Sequence, residues 1–399
     1  MTSAIIISIC CLLLLAYVFD LTSSKTRIPS VILLLLLGWL VRQGTALINI
    51  SLPDFHPILP VFGTIGLILI VLEGSLELEL HRSKAGLIGK SFLGALLPMV
   101  ALAFALMFAF NQFGFYSIRI SLINAIPLCV ISSAIAIPSV RNLTATQREF
   151  VIYESSLSDI LGVIFFNFVA LHNQFDFTSF GHFAFQLLAI IVISFIATLS
   201  LAFLLHRIEH PIKFIPIILL VILIYEISKE FHLPSLIFIL LFGLFLGNLD
   251  EIKKYKWIEK LKPERLDTEV QKFKELTVEA TFIIRALFFL LFGYLMNTEE
   301  LLNIATFPWA IGITLAILII RYLQLKLSFI PVSPLLYVAP RGLITILLFL
   351  SIDESLTISL VNRSLIIQVI ILMAIVMMFG LMFSKQQTTE KEIPTEAVK

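Results

Sequence analysis

Long apolar runs separated by short polar segments make up most of the chain. Each run is close to the ~20 residues that an α-helix needs to cross the hydrocarbon core of a bilayer. The pattern predicts thirteen spans, at 3–19, 28–45, 58–76, 86–110, 118–140, 148–171, 183–205, 212–228, 233–249, 277–296, 307–328, 333–351 and 364–383. The predicted fold class is therefore an all-α polytopic membrane protein.

Two polar stretches interrupt or follow these runs. Residues 250–276 are rich in Lys and Glu and are expected to form a cytoplasmic connector that can include a surface helix, while residues 385–399 are expected to form a cytoplasmic tail. No Lys or Arg precedes the first apolar run, which argues against a cleaved signal peptide because such a peptide needs a basic start. The first run is therefore interpreted as a span.

The composition agrees with a membrane protein. Hydrophobic residues make up 59% of the chain and the mean hydropathy is +1.02, whereas soluble domains are about 45–50% apolar. The net charge of +1 gives no basic footprint for nucleic acid. The chain has no H-E-x-x-H motif, and its cysteines (Cys10, Cys11 and Cys129) lie in apolar runs without metal-ligand spacing. An intramembrane metalloenzyme is disfavoured, and no cofactor is expected.

Lys and Arg are distributed unevenly between the two sides of the membrane. With thirteen spans, most of them fall in the loops that follow odd-numbered spans. The opposite side holds few, namely Arg42, Arg119, Lys229 and Arg363. Because cytoplasmic loops carry the excess of positive charge, the N-terminus is expected outside and the C-terminus in the cytoplasm of a cell (inner) membrane protein.

Two of the spans contain helix-breaking residues. The fifth span has two prolines around a serine pair (Pro127, Ser132, Ser133 and Pro138), and the twelfth contains the run 340–342, Pro-Arg-Gly. Proline removes a backbone hydrogen bond, and such breaks kink or interrupt a helix. At bilayer depth an interruption survives only where it is buried or lines a cavity, so both breaks are predicted to lie inside the protein.

The two broken spans are seven apart, so they would cross the membrane in opposite directions. The third and tenth spans are also seven apart and share a pattern, in which Gly74 of 67–80 matches Gly293 of 287–301. This spacing predicts inverted repeats with two discontinuous helices that cross at an ion site. The alternative is that membrane helices simply contain more Gly and Pro than soluble ones.

Ionisable residues inside the spans are the candidate chemistry. A carboxylate such as Asp159 at bilayer depth costs at least about 2.5–3.5 kcal/mol, so it is kept where a proton or cation must bind. Ser155 lies one helical turn before it, on the same face. Glu154 lies roughly 140° away around the helix and is interpreted as the partner of a buried Arg. Glu73 is open to either interpretation, and Arg285 is interpreted as structural.

Several short motifs resemble the cation/proton antiporter superfamily. Residues 154–159, Glu-Ser-Ser-Leu-Ser-Asp, resemble the E-S-L-L-N-D motif of its sodium/proton exchanger branch. Two runs are similar to motifs of its potassium-efflux branch: residues 132–136 resemble S-S-T-A-I-A, and residues 288–296 resemble F-F-x-x-x-G. Residues 319–325 resemble the helix that carries a buried basic residue, and residues 341–342 resemble the R-G pair of the exchanger branch. Each match is short, but their order and spacing together are specific.

The resemblance implies a thirteen-helix antiporter that forms a homodimer. Residues 1–85 and 172–306, the latter with the connector 250–276, would form a dimerisation domain from helices 1–3 and 7–10. Residues 86–171 and 307–384 would form a core domain from helices 4–6 and 11–13, followed by the tail 385–399.

The resemblance also implies roles for single residues. Asp159 would bind the transported ion and the proton. Further cation ligands would come from Glu73, Ser132, Ser133, Ser155 and Ser158. Glu154 would pair with Arg321 or Arg341. The family has Asn or Asp where this chain has Ser158, and a hydroxyl supplies an oxygen but no charge. One proton for one cation, an electroneutral exchange, is therefore expected.

The predicted function is exchange of Na⁺, K⁺ or Li⁺ for H⁺ across the bilayer, with Na⁺ favoured. A proton and a cation compete for Asp159 because either one neutralises a carboxylate held away from water. A K⁺/H⁺ antiporter and a channel-like cation pathway without proton exchange remain alternatives. Transport of small organic anions is disfavoured by Asp159 and Glu73, since anions prefer helix N-termini without nearby carboxylates.

Overall fold

The computed structural model describes residues 2–26, 28–48, 54–78, 82–172, 177–208, 210, 212–231, 233, 235–249 and 263–384. Within these ranges the chain forms helices and connecting segments, with no strand. The helices longer than one turn are α1 (Thr2–Thr26), α2 (Ser30–Leu47), α3 (Ile58–Glu77), α4 (Ala85–Gly114), α5 (Ile118–Ala125), α6 (Ser133–Ser139), α7 (Ala145–Leu171), α8 (Phe177–Arg207), α9 (Phe214–Glu230), α10 (Leu236–Gly247), α11 (Pro263–Leu295), α12 (Phe307–Leu327), α13 (Leu343–Leu350) and α14 (Arg363–Phe383).

The helices follow the thirteen predicted spans. By length and composition, nine helical segments of the described chain are long and apolar enough to cross a membrane. The other predicted spans coincide with α7, which carries the polar motif, with the shorter helices α9 and α10, and with the broken segment that ends in α13. The predicted all-α polytopic fold class is confirmed.

Helix α11 is longer than the predicted tenth span. It begins at Pro263, so residues 263–276, the second part of the predicted connector, are helical and continuous with that span. Val270, Phe273 and Thr277 explain the extension, since they are buried at helical spacing on one face. The predictions for residues 250–262 and for the tail 385–399 lie outside the described residues.

The helices pack in two groups. In one group, α11 packs on α2 and α3, and α10 packs on α3 and α8. In the other, α4 packs on α5 and α7, α12 packs on α4 and α14, and α6 packs on α7. Helices α3 and α7, together with α3 and α13, are in contact between the groups. The assignment of these groups to a dimerisation and a core domain stays a prediction.

Glycines allow α2 and α11 to approach closely. A Cβ atom added at Gly38 of α2 would overlap the backbone carbonyl of Leu290, and one added at Gly293 of α11 would overlap that of Leu35. Small residues that bring backbones together in this way are a general means of packing membrane helices. Gly74, which the repeat pattern matches with Gly293, is also a contact position, because its added Cβ would meet the hydroxyl of Ser156.

Candidate cation site

Both predicted helix breaks are present, and they meet. Helix α5 gives way to a 3-10 turn and extended chain before α6 begins at Ser133, and the second break ends where α13 begins at Leu343. The backbone N–H of Ser132 donates to the carbonyl of Pro340 at 2.9 Å. Gly342 lies so close to Ser132 and Ile135 that a Cβ would crowd both side chains. The prediction of two discontinuous helices that cross is confirmed.

Arg341 ties the two breaks together. Its Nε donates to the carbonyl of Leu128 at 2.7 Å and its Nη1 to the carbonyl of Ala339 at 2.8 Å. Leu128 is the last residue of the 3-10 turn in the first break, and Ala339 lies in the second break. Buried backbone carbonyls that have lost their helical partner need such a donor. Arg341 therefore stabilises the crossing through the backbone and is not placed in an ion pair with Glu154.

Asp159 lies on α7, beside the first break, and is 2% exposed. Its Oδ2 accepts hydrogen bonds from the backbone N–H of Ser133, at 3.3 Å, and from the Ser133 hydroxyl. Its Oδ1 is buried and has no hydrogen-bond partner among the described residues. A buried acceptor without a partner is costly, so one face of this carboxylate is available for a proton or a cation.

The two serines of the α7 motif already make hydrogen bonds. The hydroxyl oxygen of Ser158 accepts from the backbone N–H of Ile131 at 2.9 Å, which satisfies a donor that the break leaves without a helical partner. The hydroxyl of Ser155 donates to the carbonyl of Val151 at 2.7 Å. In both residues a lone pair on oxygen remains, and both side chains are buried within the same helix as Asp159.

The carbonyl of Ser132, which is predicted to be a cation ligand, is not free to bind a cation. This carbonyl accepts from the backbone N–H of Ala136 at 3.0 Å, because Ser132 is the N-terminal flanking residue of α6. The carbonyl of that flanking residue already belongs to the first helical turn. Of the serine pair, Ser133 therefore makes the direct contact with Asp159, and Ser132 holds the crossing.

Glu154 forms a buried ion pair with Arg321 of α12. The guanidinium donates to both carboxylate oxygens, from Nη1 to Oε1 at 3.0 Å and from Nη2 to Oε2 at 2.8 Å. Its Nε donates to the carbonyl of Leu335 at 2.7 Å, just before the second break. Two parallel hydrogen bonds between a guanidinium and a carboxylate stabilise the pair and also fix the relative orientation of the two groups. The pair joins α7 to α12 and leaves Asp159 without a neighbouring basic partner.

A cavity of about 380 Å³ leads from one end of the bundle toward this site. We call it the vestibule. Glu73 of α3, Ser133 of α6 and Arg285 of α11 line it, together with further charged residues, namely Lys84, Arg141, Arg148, Lys274, Glu77 and Glu149. Ser133 both lines the vestibule and contacts Asp159, so it connects the vestibule to the carboxylate.

The sequence did not single out Asp20, at the end of the first predicted span. Its Oδ1 lies 3.7 Å from Nη2 of Arg285, and its Oδ2 lies 3.6 Å from Nη1 of Arg141. The hydroxyl of Ser30 also donates to Oδ1 at 3.3 Å. From the sequence, an acidic residue at the end of a predicted span is expected to be exposed to solvent, so Asp20 did not stand out. The signal that could have found Asp20 is its position on the same membrane side as Arg141.

No group of three or more His, Cys, Asp or Glu side chains in the described part of the chain is arranged to hold a resident metal ion. The site offers one carboxylate, nearby hydroxyls and a second carboxylate, that of Glu73, on the vestibule wall. Oxygens of these types are suitable ligands for a hard cation. The arrangement can therefore bind a monovalent cation as cargo, or a proton in its place.

A buried, half-satisfied carboxylate where two broken helices cross is the arrangement of an ion-coupled transporter. The profile of the family described as "Sodium/hydrogen exchanger, transmembrane" matches residues 10–385. The chain belongs to this sodium/hydrogen exchanger family and is a cation/proton antiporter. The resemblance seen in the short motifs is confirmed. No match was found among curated protein sequences.

Two solved structures of one protein are similar in fold. The sodium proton antiporter MjNhaP1 from Methanocaldococcus jannaschii at pH 8 is 19% identical, with a TM-score of 0.65, over 94% of this chain and 97% of that chain. A second structure of the same antiporter, from an electron-microscopy map, is 18% identical, with a TM-score of 0.69, over 96% of this chain and 95% of that one. The likeness covers nearly the whole length of both proteins.

Proposed function

We propose that this protein exchanges Na⁺ for H⁺ across a cell membrane by alternating access, with one proton moved for one cation. The observation that carries the proposal is the carboxylate of Asp159, which is buried, held on one oxygen by Ser133 and open on the other. A charged carboxylate in this place needs a neutralising ion. A proton and a cation are mutually exclusive occupants of a single open oxygen, and this exclusion couples their movements.

The cation would enter through the vestibule and meet Glu73 before it reaches Asp159. Ser133 would then turn from a donor to Asp159 into an oxygen ligand, with Ser155 and Ser158 supplying further oxygens and Ser132 keeping the crossing in place. The side of the membrane on which the vestibule residues Arg141 and Arg148 lie would be the cytoplasm, because positive charge collects on that side. With this assignment the vestibule would be the access path of an inward-facing state.

Alternating access would be a movement of one helix group against the other. The group that contains α4–α7 and α12–α14 holds Asp159, both breaks and the Glu154–Arg321 pair, so it would move as one body and carry the ion. The group that contains α1–α3 and α8–α11 would remain fixed and form the homodimer interface. Neutralisation of Asp159 by Na⁺ or H⁺ lowers the cost of carrying it past apolar surfaces.

Sealed proteoliposomes test the function. Vesicles with an acidic interior and a pH-sensitive dye receive Na⁺, Li⁺, K⁺ or choline chloride in turn. The proposal predicts that Na⁺ releases protons from the lumen and that choline does not. Release by K⁺ alone would identify a K⁺/H⁺ antiporter. Cation entry without proton release would identify a channel-like pathway and contradict the proposal.

A further inference from the structure

Arg285 is a buried cation on the wall of the vestibule. It lies on α11 and is 9% exposed, at a depth where a guanidinium is costly unless carboxylates are close. Its Nη2 lies 3.7 Å from Oδ1 of Asp20 on α1. Glu73 of α3 lines the same cavity as Arg285. Arg285 therefore pairs with one carboxylate, that of Asp20, and shares a cavity wall with a second, that of Glu73.

Asp20 is held by two further groups besides Arg285. The hydroxyl of Ser30 donates to it at 3.3 Å and Arg141 lies at 3.6 Å. Its distance of 3.7 Å from Arg285 is longer than the ~2.7–2.9 Å of a direct charge-assisted hydrogen bond. The guanidinium of Arg285 therefore makes no direct hydrogen bond to Asp20. A change in the conformation of the long Arg285 side chain can move its positive charge toward Glu73 or away from Glu73.

We propose that Arg285 competes with the transported cation for Glu73, and that Asp20 favours the cation by drawing Arg285 away. Without a cation in the vestibule, Arg285 balances the charge of Glu73. When a cation arrives, the guanidinium moves onto Asp20 and Glu73 becomes available to the cation. Arg285 and Asp20 are then positioning residues that set the apparent cation affinity without contacting the ion. This inference rests on the proposed function.

The two residues have opposite expected effects on transport. Arg285→Gln removes the competitor, so the KM for Na⁺ falls. Asp20→Asn removes the counterion, so Arg285 stays near Glu73 and the KM rises. Each change is expected to be about fivefold, the size expected for one partly screened charge pair.

Long-range electrostatics alone would give the same two signs, since one variant removes a positive and the other a negative charge. A double-mutant cycle separates the two explanations. If Asp20 acts through Arg285, Asp20→Asn has no effect on KM once Arg285 is Gln. If both act independently through space, the two changes in KM multiply.

The experiment measures the KM for Na⁺-driven proton release in proteoliposomes for the wild type, both single variants and the double variant. Lys272→Gln is the matched control, because Lys272 is an exposed cation on α11 that does not line the vestibule. We expect a raised KM for Asp20→Asn, a lowered KM for Arg285→Gln, no further change in the double variant and a wild-type KM for the control. Independent effects, or a raised KM for Arg285→Gln, would overturn the inference.

If Arg285→Gln does not fold, the same inference can be tested in the Glu73→Gln variant. In Glu73→Gln the proposed competition has no target, so adding Asp20→Asn should leave the KM of that variant unchanged. A further rise in KM would overturn the inference. Failure of the proposed function looks different, because the wild type itself would then release no protons on addition of Na⁺.

Discussion

The backbone N–H and the hydroxyl of Ser133 both donate to the same carboxylate oxygen of Asp159, and the other oxygen has no partner among the described residues. Asp159 is therefore oriented from one side and open on the other. This orientation depends on the break before α6, because a continuous helix would use the N–H of Ser133 within its own ladder. The break thus creates both the donor and the space for the ion.

Ser133→Ala should weaken cation binding. The variant keeps the backbone N–H but removes the hydroxyl, which both orients the carboxylate and can become a cation ligand. A hydrogen bond to a charged group contributes about 1.5–3 kcal/mol, so the KM for Na⁺ is expected to rise about tenfold or more. The matched control is Ser139→Ala, whose hydroxyl on the same helix donates to the carbonyl of Ile135. Equal KM values for the two variants would exclude this role of Ser133.

Glu154→Ala should destabilise the protein far more than Asp159→Asn. Removing one partner of a buried ion pair costs about 3–5 kcal/mol, because the other charge stays buried. Glu149→Ala is the control: Glu149 lies on the same helix and pairs with Lys84 at 3.0 Å, but this pair is partly exposed. Thermal unfolding in detergent should give a much lower Tm for Glu154→Ala only. A Tm similar to that of Asp159→Asn would contradict a structural role for the Glu154–Arg321 pair.

Gly38→Ala should disrupt the contact between α2 and α11, since its Cβ would overlap the backbone carbonyl of Leu290. Overpacking against backbone costs about 1–3 kcal/mol, so the Tm in detergent should fall clearly. Gly44→Ala is the control on the same helix, where an added Cβ meets no atom within 4 Å. An equal fall in Tm for Gly38→Ala and Gly44→Ala would show that the loss of stability does not come from the contact between α2 and α11.

Transport should move no net charge. Ser158 leaves Asp159 as the acidic residue at the end of the α7 motif, and Glu154 is held by Arg321, so one proton is expected for one Na⁺. Proteoliposomes with a potassium diffusion potential set by valinomycin check this expectation. An imposed potential should not drive uphill Na⁺ movement. Sustained current on a solid-supported membrane would show a second proton, and Glu73 would be the first residue to mutate.

The spans and the breaks could be predicted because their causes are local. Apolar runs predict the helices. The Pro and Gly residues around Ser132 and Arg341 mark the positions where the backbone hydrogen bonds of the helix are interrupted. The choice of Arg321 as the partner of Glu154 could not be predicted, since the chain places more than one Arg inside the spans and only packing decides between them. Arg341 is used instead by backbone carbonyls of the two breaks.

Two features of the structure could not be predicted because the sequence contains only a weak signal for them. The first part of α11 is dominated by charged residues, and the buried positions Val270 and Phe273 are too few to stand out in the pattern. Asp20 was missed because its partners, Arg141 and Arg285, come from distant parts of the chain. Both cases show contacts between elements that no local pattern encodes.

The most direct test of the account is the rate at which Na⁺ dissipates a preset pH gradient in vesicles that contain Asp159→Asn. An amide cannot exchange a proton for a cation, so exchange should be abolished while the Tm in detergent stays near that of the wild type. Asp54→Asn, a change at an exposed acidic residue outside the helices, should transport normally. Exchange by Asp159→Asn at the wild-type rate would contradict the assignment of Asp159 as the coupling site.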